Sequence, residues 1–255
     1  MKAMIFAAGL GTRLRPITDT LPKALVPVGG VPMLERVLVK LRDAGIAEFV
    51  VNACYLSEKI VGFFDTHDFG VKVAVSLEDG LEPLETGGGI KHAAPLLATS
   101  SGTGRFLLHN ADILSDLDVR WFLSEDDPCA LATLLLVDKP ADRYLLFDDE
   151  MRLRGWTNVR TGEVKSPFPG FDPSSCRRYS FCGIHILSER VLAMMESWPE
   201  RFGIIDFYLS ACAGHTIRGV VASGLDITDI GSPETLRAAD EKMAFQDGFA
   251  PSSRR

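Results

Sequence analysis

An apolar run from Ala3 to Ala8 that breaks directly into GLGTRLRP restricts this chain more than any other stretch. A short β-strand opening into a glycine loop builds a cradle for anions. Gly9 and Gly11 are free to take positive φ and leave room beside the backbone, so successive N–H groups converge on phosphate oxygens. Arg13, Arg15 and, after a spacer, Lys23 in LPKALVPV supply cationic arms. Spacing separates the loops of this kind. A dinucleotide loop needs G-x-G-x-x-G, but Leu14 holds the third position and Pro16 stands where that fold starts its helix. A Walker A loop needs its lysine beside the second glycine with Ser or Thr after it, whereas Lys23 is remote and Ala24 follows.

Downstream, two periodicities alternate. Met33 to Ala44 carries apolar residues at Met33, Leu34, Val37, Leu38 and Leu41, the spacing of an amphipathic helix, and Gly45 ends it. Glu48 to Ala53 reads as a strand, Glu58 to Phe64 as a helix and Val71 to Ser76 as a strand. Such alternation implies a parallel sheet with helices on both faces. Further strands are expected at Arg105 to His109, Ala130 to Val137, Tyr144 to Phe147, Met151 to Thr157 and Tyr179 to Leu187, with helices over Ser188 to Met195 and Ile205 to Ala211. The 255 residues contain no repeat or low-complexity tract. They are expected to form one domain over 1–243, with 244–255, ending APSSRR, as a flexible tail.

A net charge of −7 leaves no basic stripe for a nucleic-acid backbone, so nucleic acid is not an expected partner, while a nucleotide needs only local positive charge. Cys54, Cys129, Cys176, Cys182 and Cys212 form no C-x-x-C pair and read as free thiols in a reducing compartment. The N-terminal apolar run is too short for a signal sequence, and Ala130 to Val137 is too short to cross a bilayer. A cytoplasmic protein without a membrane partner is expected. Oligomeric state is not legible.

Three later stretches carry chemistry. In PLETGGGI the glycines Gly87 to Gly89 are costly inside a helix, so they are expected to start one or to let a flat ligand lie against backbone. HNAD places Asp112 just past the C-terminal end of a strand, in the crevice where open α/β sheets bind ligands; a helix cap or turn is the competing role. Asp116 and Asp118 make a D-x-D that fits the cap of a helix from Val119 to Leu123. The loop from Val159 to Arg178 is long enough to be functional, and Arg177 and Arg178 read as a solvated turn or as partners of an anionic sugar. Gly183, inside the strand YSFCGIHIL, marks a close approach.

Taken together, Gly9, Gly11, Thr12, Arg13 and Pro16, then Pro22 and Lys23, match G-x-G-T-R-x-x-P followed by P-K. This resembles the signature of the sugar-1-phosphate nucleotidyltransferases, and the resemblance extends over nearly the whole chain. PLETGGGI is similar to the base-reading segment of members that act on N-acetylmuramate 1-phosphate, where guanylyltransferases tend to read GTAG. The closing DIGSPE resembles the family's D-[IV]-G-[ST]-P-E. Membership implies a Rossmann-like α/β/α sandwich with a mixed, mostly parallel sheet. It also implies a nucleoside triphosphate, UTP by preference, and a sugar 1-phosphate as partners, with Mg²⁺ as cofactor. Mannose-1-phosphate guanylyl transfer, another sugar or amino-alcohol phosphate, or a non-catalytic regulatory subunit are the alternatives. By resemblance Arg13, Lys23 and Asp112 are catalytic and Asp112 and Asp229 hold the metal, with Asp226 as local competitor for the second place. Ala8, Gly9, Gly11, Thr12, Arg13, Lys23, Glu82, Thr86, Gly87, Gly88 and Asn110 would contact nucleotide, with Glu78 the alternative to Glu82. Gly183 would lie against the sugar.

Overall fold

The computed structural model describes residues 1–80, 82–99 and 104–246. It opens with β1 (Lys2–Phe6), whose side chains alternate between two cores, Ala3 and Ile5 on one side and Met4 on the other. Next come β2 (Pro27–Val28), β3 (Val31–Pro32), α1 (Met33–Asp43), β4 (Glu48–Ala53), α2 (Ser57–Thr66) and β5 (Lys72–Leu77). The middle of the chain forms α3 (Glu85–His92), α4 (Ala94–Leu97), β6 (Arg105–Asn110), β7 (Ile113–Ser115), α5 (Val119–Ser124), β8 (Ala132–Val137), β9 (Arg143–Phe147), β10 (Leu153–Asn158) and β11 (Glu163–Lys165). Then follow β12 (Arg177–Ser188), α6 (Arg190–Met195), α7 (Ile204–Ala211), β13 (Ile217–Val221), β14 (Ile227–Asp229) and α8 (Pro233–Gln246). The expected tail lies, from 247 onward, outside the described residues.

In the main layer β5, β4, β1 and β6 pair in parallel in that order, and β12 joins β6 antiparallel. Beyond it β8 runs against β12, and β13 runs parallel to β8, so β12 is reversed relative to its layer. The first residues of β12, Arg177 to Tyr179, pair with β9 instead and carry the sheet into an antiparallel extension through β10 and β11. On one face α1, α2 and α5 bury Leu34, Leu38, Ile60, Phe63 and Phe122; on the other, α3, α6 and α7 bury Ile90, Met195, Phe207 and Tyr208. The fold is the expected Rossmann-like sandwich with a mixed, mostly parallel sheet. Among the described residues no helix is long and apolar enough to cross a membrane.

A third, smaller core fastens the ends of the chain together. Leu14 of the glycine loop, Val26, Val28 and Met33 pack against Ile230, Leu236 and Ala239. Gly29 N–H donates to Asp240 Oδ1 at 2.8 Å across the same seam.

Three expectations need correction. Gly87 to Gly89 lie inside α3, which starts earlier, at Glu85. Helix entropy is offset there by packing: a Cβ on Gly87 would sit 2.3 Å from the Phe202 ring and one on Gly88 2.2 Å from the Glu200 carbonyl. The stretch 159–178 is not a plain loop either, since it contains β11 and a 3₁₀ turn at Pro173–Ser175. Asp118 caps α5 as expected, accepting from the N–H groups of Arg120 and Trp121, whereas Asp116 accepts from Asp226 N–H instead.

Candidate active site

The glycine loop leaves β1 with Gly11 at φ 62° and ψ 29° and turns into a 3₁₀ segment, Thr12–Leu14. That left-handed turn is held from both sides: Thr18 Oγ1 and Leu14 N–H each donate to the Gly11 carbonyl at 2.8 Å. Leu14 is buried in the third core, so Arg13 beside it is turned outward and its side chain is 68% exposed.

Lys23 is where the site comes together. Its ammonium donates to Asp112 Oδ2 and lies 3.5 Å from Asp229 Oδ1. Its side chain is only 12% exposed. Arg13 Nη2 approaches the other oxygen of Asp229 at 3.9 Å. The two aspartates are distant in sequence but adjacent in register, because β14 pairs antiparallel with β7 and sets Asp229 opposite Ile113, the residue after Asp112. The Ile230 N–H donates to the Asp112 carbonyl at 3.0 Å, closing the pair. Asp226 faces elsewhere, ion-paired with Lys242, so Asp229 is the carboxylate that shares Lys23 with Asp112.

Beside this cluster a cavity opens at the C-terminal ends of the parallel strands. Ala8, Gly9, Lys23, Thr86, Asn110 and Asp112 line it together. Gly11, Thr12 and Arg13 line an adjoining hollow that shares Gly9, Lys23 and Asp112 with the first. Glu82, Gly87, Gly88 and Gly183 lie on neither wall. Glu82 forms an ion pair with Arg201, and the two glycines donate their N–H groups to the Phe202 carbonyl at 2.9 and 3.1 Å. Thr86 Oγ1 accepts from Ile204 N–H at 3.0 Å, which docks the start of α7 onto the cavity rim.

Asn52, Glu85 and His109, which the sequence did not single out, and Glu78, named there only as the alternative to Glu82, build or back the wall. Asn52 Oδ1 accepts from Ala7 N–H at 2.8 Å, and its Nδ2 donates to Glu78 Oε1 at 2.6 Å. Glu78 Oε2 in turn accepts from Leu84 N–H at 2.8 Å. Glu78 is buried with both oxygens engaged, so it ties the ends of β1, β4 and β5 to the PLETGGG segment. Glu85, at φ 64°, lines both hollows with its carboxylate 3.3 Å from Arg201 Nε. A non-glycine residue held in that conformation stores strain of the kind found at binding sites. Buried His109 is pushed down to about 4, chiefly by burial, and is therefore neutral at pH 7. Its Nδ1–H donates to the Asn110 carbonyl at 2.7 Å and steadies the turn that carries Asp112.

Gly183 supports the cavity from behind. It sits in an irregularity of β12 against β8, at φ 72°, and a Cβ there would fall 2.3 Å from Asn110 Nδ2. Gly183→Ala should therefore destabilise the fold by about 2–4 kcal/mol, combining left-handed strain with overpacking. Urea denaturation measures this, and a loss under 0.5 kcal/mol, roughly the scatter of neutral surface changes, would contradict it. Arg177 and Arg178 are occupied on the extension, the first 3.4 Å from Asp149 Oδ1 and the second 5.2 Å from the Tyr144 ring centroid.

Mg²⁺ can be tested against this donor set. Among the described residues no cluster of three or more His, Cys, Asp or Glu could hold a metal. Two carboxylates already converge on one cation, however, and Mg²⁺ commonly takes one or two carboxylates and fills its octahedron with phosphate oxygens and water. Asp112 and Asp229 fit an ion that arrives with a phosphate ligand.

The family model described as nucleotidyl transferase matches residues 2–143. An N-acetylmuramate alpha-1-phosphate uridylyltransferase of Neisseria meningitidis is 45% identical over 119 residues, 46% of this chain and 49% of that protein, so the match spans about half of each. The protein of the same name from Caulobacter vibrioides is 28% identical over 95% of this chain and 96% of its own length. A putative glucose-1-phosphate thymidylyltransferase from Bacillus anthracis, 20% identical, superposes with a TM-score of 0.76 over 99% of this chain and 98% of that one. That last likeness concerns the fold.

Proposed function

Since the chain belongs to the nucleotidyl transferase family, we propose that it transfers a nucleoside monophosphate from a nucleoside triphosphate to a sugar 1-phosphate and releases pyrophosphate. UTP and N-acetylmuramate 1-phosphate are the substrates we assign, on the similarity of two relatives with that activity in their names. The observation that carries the reading is the convergence of Lys23, Asp112 and Asp229 at the mouth of a glycine-loop cavity.

A phosphate oxygen of the sugar 1-phosphate attacks the α-phosphorus of the triphosphate in line. The new P–O bond forms as the bond from the α-phosphorus to the β-bridging oxygen breaks, and pyrophosphate leaves with the electron pair. The nucleophile is already an anion at neutral pH, so no proton has to be removed and no general base is required. The barrier lies in bringing two anions together, which positioning and fixed charge overcome. Lys23 stands between the two phosphates and offsets charge developing on the transferred group. Arg13, outward and exposed beside the loop, holds the departing pyrophosphate, and the Gly9 to Thr12 backbone donates to the triphosphate. Asn110 and Thr86 face the nucleoside, while Glu82, Gly87 and Gly88 act from behind by fixing Arg201 and the 200–202 segment. Gly183, by lacking a Cβ, leaves the space that the Asn110 side chain occupies. Held by Asp112 and Asp229, Mg²⁺ would add Lewis-acid charge at the reacting phosphates.

Pyrophosphate release, measured with each of the four NTPs against a panel of sugar 1-phosphates in Mg²⁺, tests this. The greatest rate is expected with UTP and N-acetylmuramate 1-phosphate. A different best pair would reassign the substrates, and no pyrophosphate from any pair would overturn the activity.

A further inference from the structure

We propose that Arg143 and Lys165 form an anion-recognising edge in a second cavity and select a sugar 1-phosphate that carries a carboxylate substituent, a claim resting on the reaction proposed above. The cavity follows from strand register. β9 pairs with β10 so that Leu145 lies opposite Trp156 and Arg143 opposite Asn158, and β11 sets Lys165 opposite the same Trp156. Directly opposed residues share a face of a sheet, as do residues two apart on one strand. Arg143, Leu145, Trp156 and Lys165 thus project from one face, and α7 closes over them with Ile205, Asp206 and Leu209.

This hollow adjoins the nucleotide cavity at two points. Gly203, at the start of α7, separates them: the place its Cβ would take is 3.5 Å from Glu85 Oε2, on the first wall, and 3.7 Å from Asp206 Oδ2, on the second. Along β12, Phe181 of the second cavity is two residues from Gly183, which touches Asn110 of the first. The two hollows are therefore neighbours, meeting across Gly203 and along the Phe181 to Gly183 stretch of β12.

The wall chemistry indicates what the ligand carries. Trp156, Phe181 and Leu145 offer flat apolar surface suited to a sugar ring face and an acyl methyl group. The charged groups are Arg143, Lys165 and Asp206, two cations to one carboxylate. Lys165 Nζ is 3.6 Å from Glu163 Oε1, 3.9 Å from Asp206 Oδ1 and 5.2 Å from the Trp156 ring centroid, contacts long enough to yield to a closer anion. Arg143 enters no ion pair among the described residues, and its planar fork matches a carboxylate. A neutral hexose would leave Arg143 without an anionic partner and Lys165 with only its long contacts to Glu163 and Asp206. A lactyl ether carboxylate on an N-acylated sugar would satisfy them.

The test compares N-acetylmuramate 1-phosphate with the otherwise identical sugar 1-phosphate lacking the lactyl group, each with UTP. The native protein should prefer the carboxylated sugar in kcat/KM, and R143M/K165M should reduce that preference at least tenfold, since charge-assisted contacts are lost. Circular dichroism and UTP affinity of the variant establish that it is folded, and calorimetric binding of the two nucleotide-sugar products reports the same preference without turnover. Equal use of both sugars by the native protein, or an undiminished preference in R143M/K165M, overturns the inference while leaving the nucleotidyl transfer standing. No pyrophosphate with either sugar and any NTP removes the reaction and the inference together.

Discussion

Lys23→Met is expected to lower kcat about 10²–10³-fold, the effect of deleting one preorganised charge at a transition state. The ammonium is largely shielded and lies against both Asp112 and Asp229, where the proposed reaction calls for a fixed positive charge. Stopped assays of pyrophosphate release give the number, and a kcat within threefold of native would remove Lys23 from its role. A second readout separates charge from shape. Without the lysine, only the exposed Arg13 at 3.9 Å from Asp229 offsets the two carboxylates, and each repels the other's charge. Lys23→Met should therefore bind Mn²⁺ in the absence of nucleotide more tightly than the native protein, measured by electron paramagnetic resonance. Equal Mn²⁺ affinity in the two proteins would mean that Lys23 does not occupy the cation's place.

Asp112→Asn is the second large expectation. It keeps volume and the hydrogen bond from Lys23 while removing one negative charge, so the fold should survive and the chemistry should not. About 10²-fold or more in kcat is expected, corresponding to roughly 3 kcal/mol of lost charge organisation around the reacting phosphates. Activity titrated against Mg²⁺ should require a higher concentration to saturate. Near-native kcat with unchanged Mg²⁺ dependence would count against Asp112 as a metal carboxylate and return it to the competing role of a turn residue.

Much of this architecture is legible in the amino-acid sequence. The strand and helix alternation from Met33 to Ser76 reads clearly because a period of two and a period of 3.6 leave different apolar patterns. Leu34, Val37, Leu38 and Leu41 are buried as that pattern requires. The glycine loop is legible in part, since Gly11 takes the positive φ that its glycine permits whereas Gly9 does not. Three things escaped. Glycines 87 and 88 look conformationally expensive in the sequence, because the aromatic ring and the carbonyl that exclude their side chains come from residues 200–202, over a hundred positions away, while Gly89 abuts Asn52 and Glu78. The relay from Ala7 through Asn52 and Glu78 to Leu84 depends on β1, β4 and β5 lying side by side, and nothing local to any of the four announces it. The second cavity likewise exists only once β9, β10 and β11 fold under α7. Asp229 was reachable through a resembling segment, but the register of β14 on β7 explains why it arrives beside Asp112.

The small core that joins Leu14 and Val28 to Ile230 and Leu236 has a consequence in time. During synthesis the glycine loop emerges first, and the sheet from β1 to β12 has its hydrophobic partners well before α8 is made. The loop's own apolar anchor, Leu14, has Val26, Val28 and Met33 beside it early, but its core is closed only when the stretch around residues 230–239 leaves the ribosome. Asp229 arrives with that same stretch. A nascent chain therefore carries an assembled scaffold with half of its chemistry missing, and the last turns of folding are the ones that arm it.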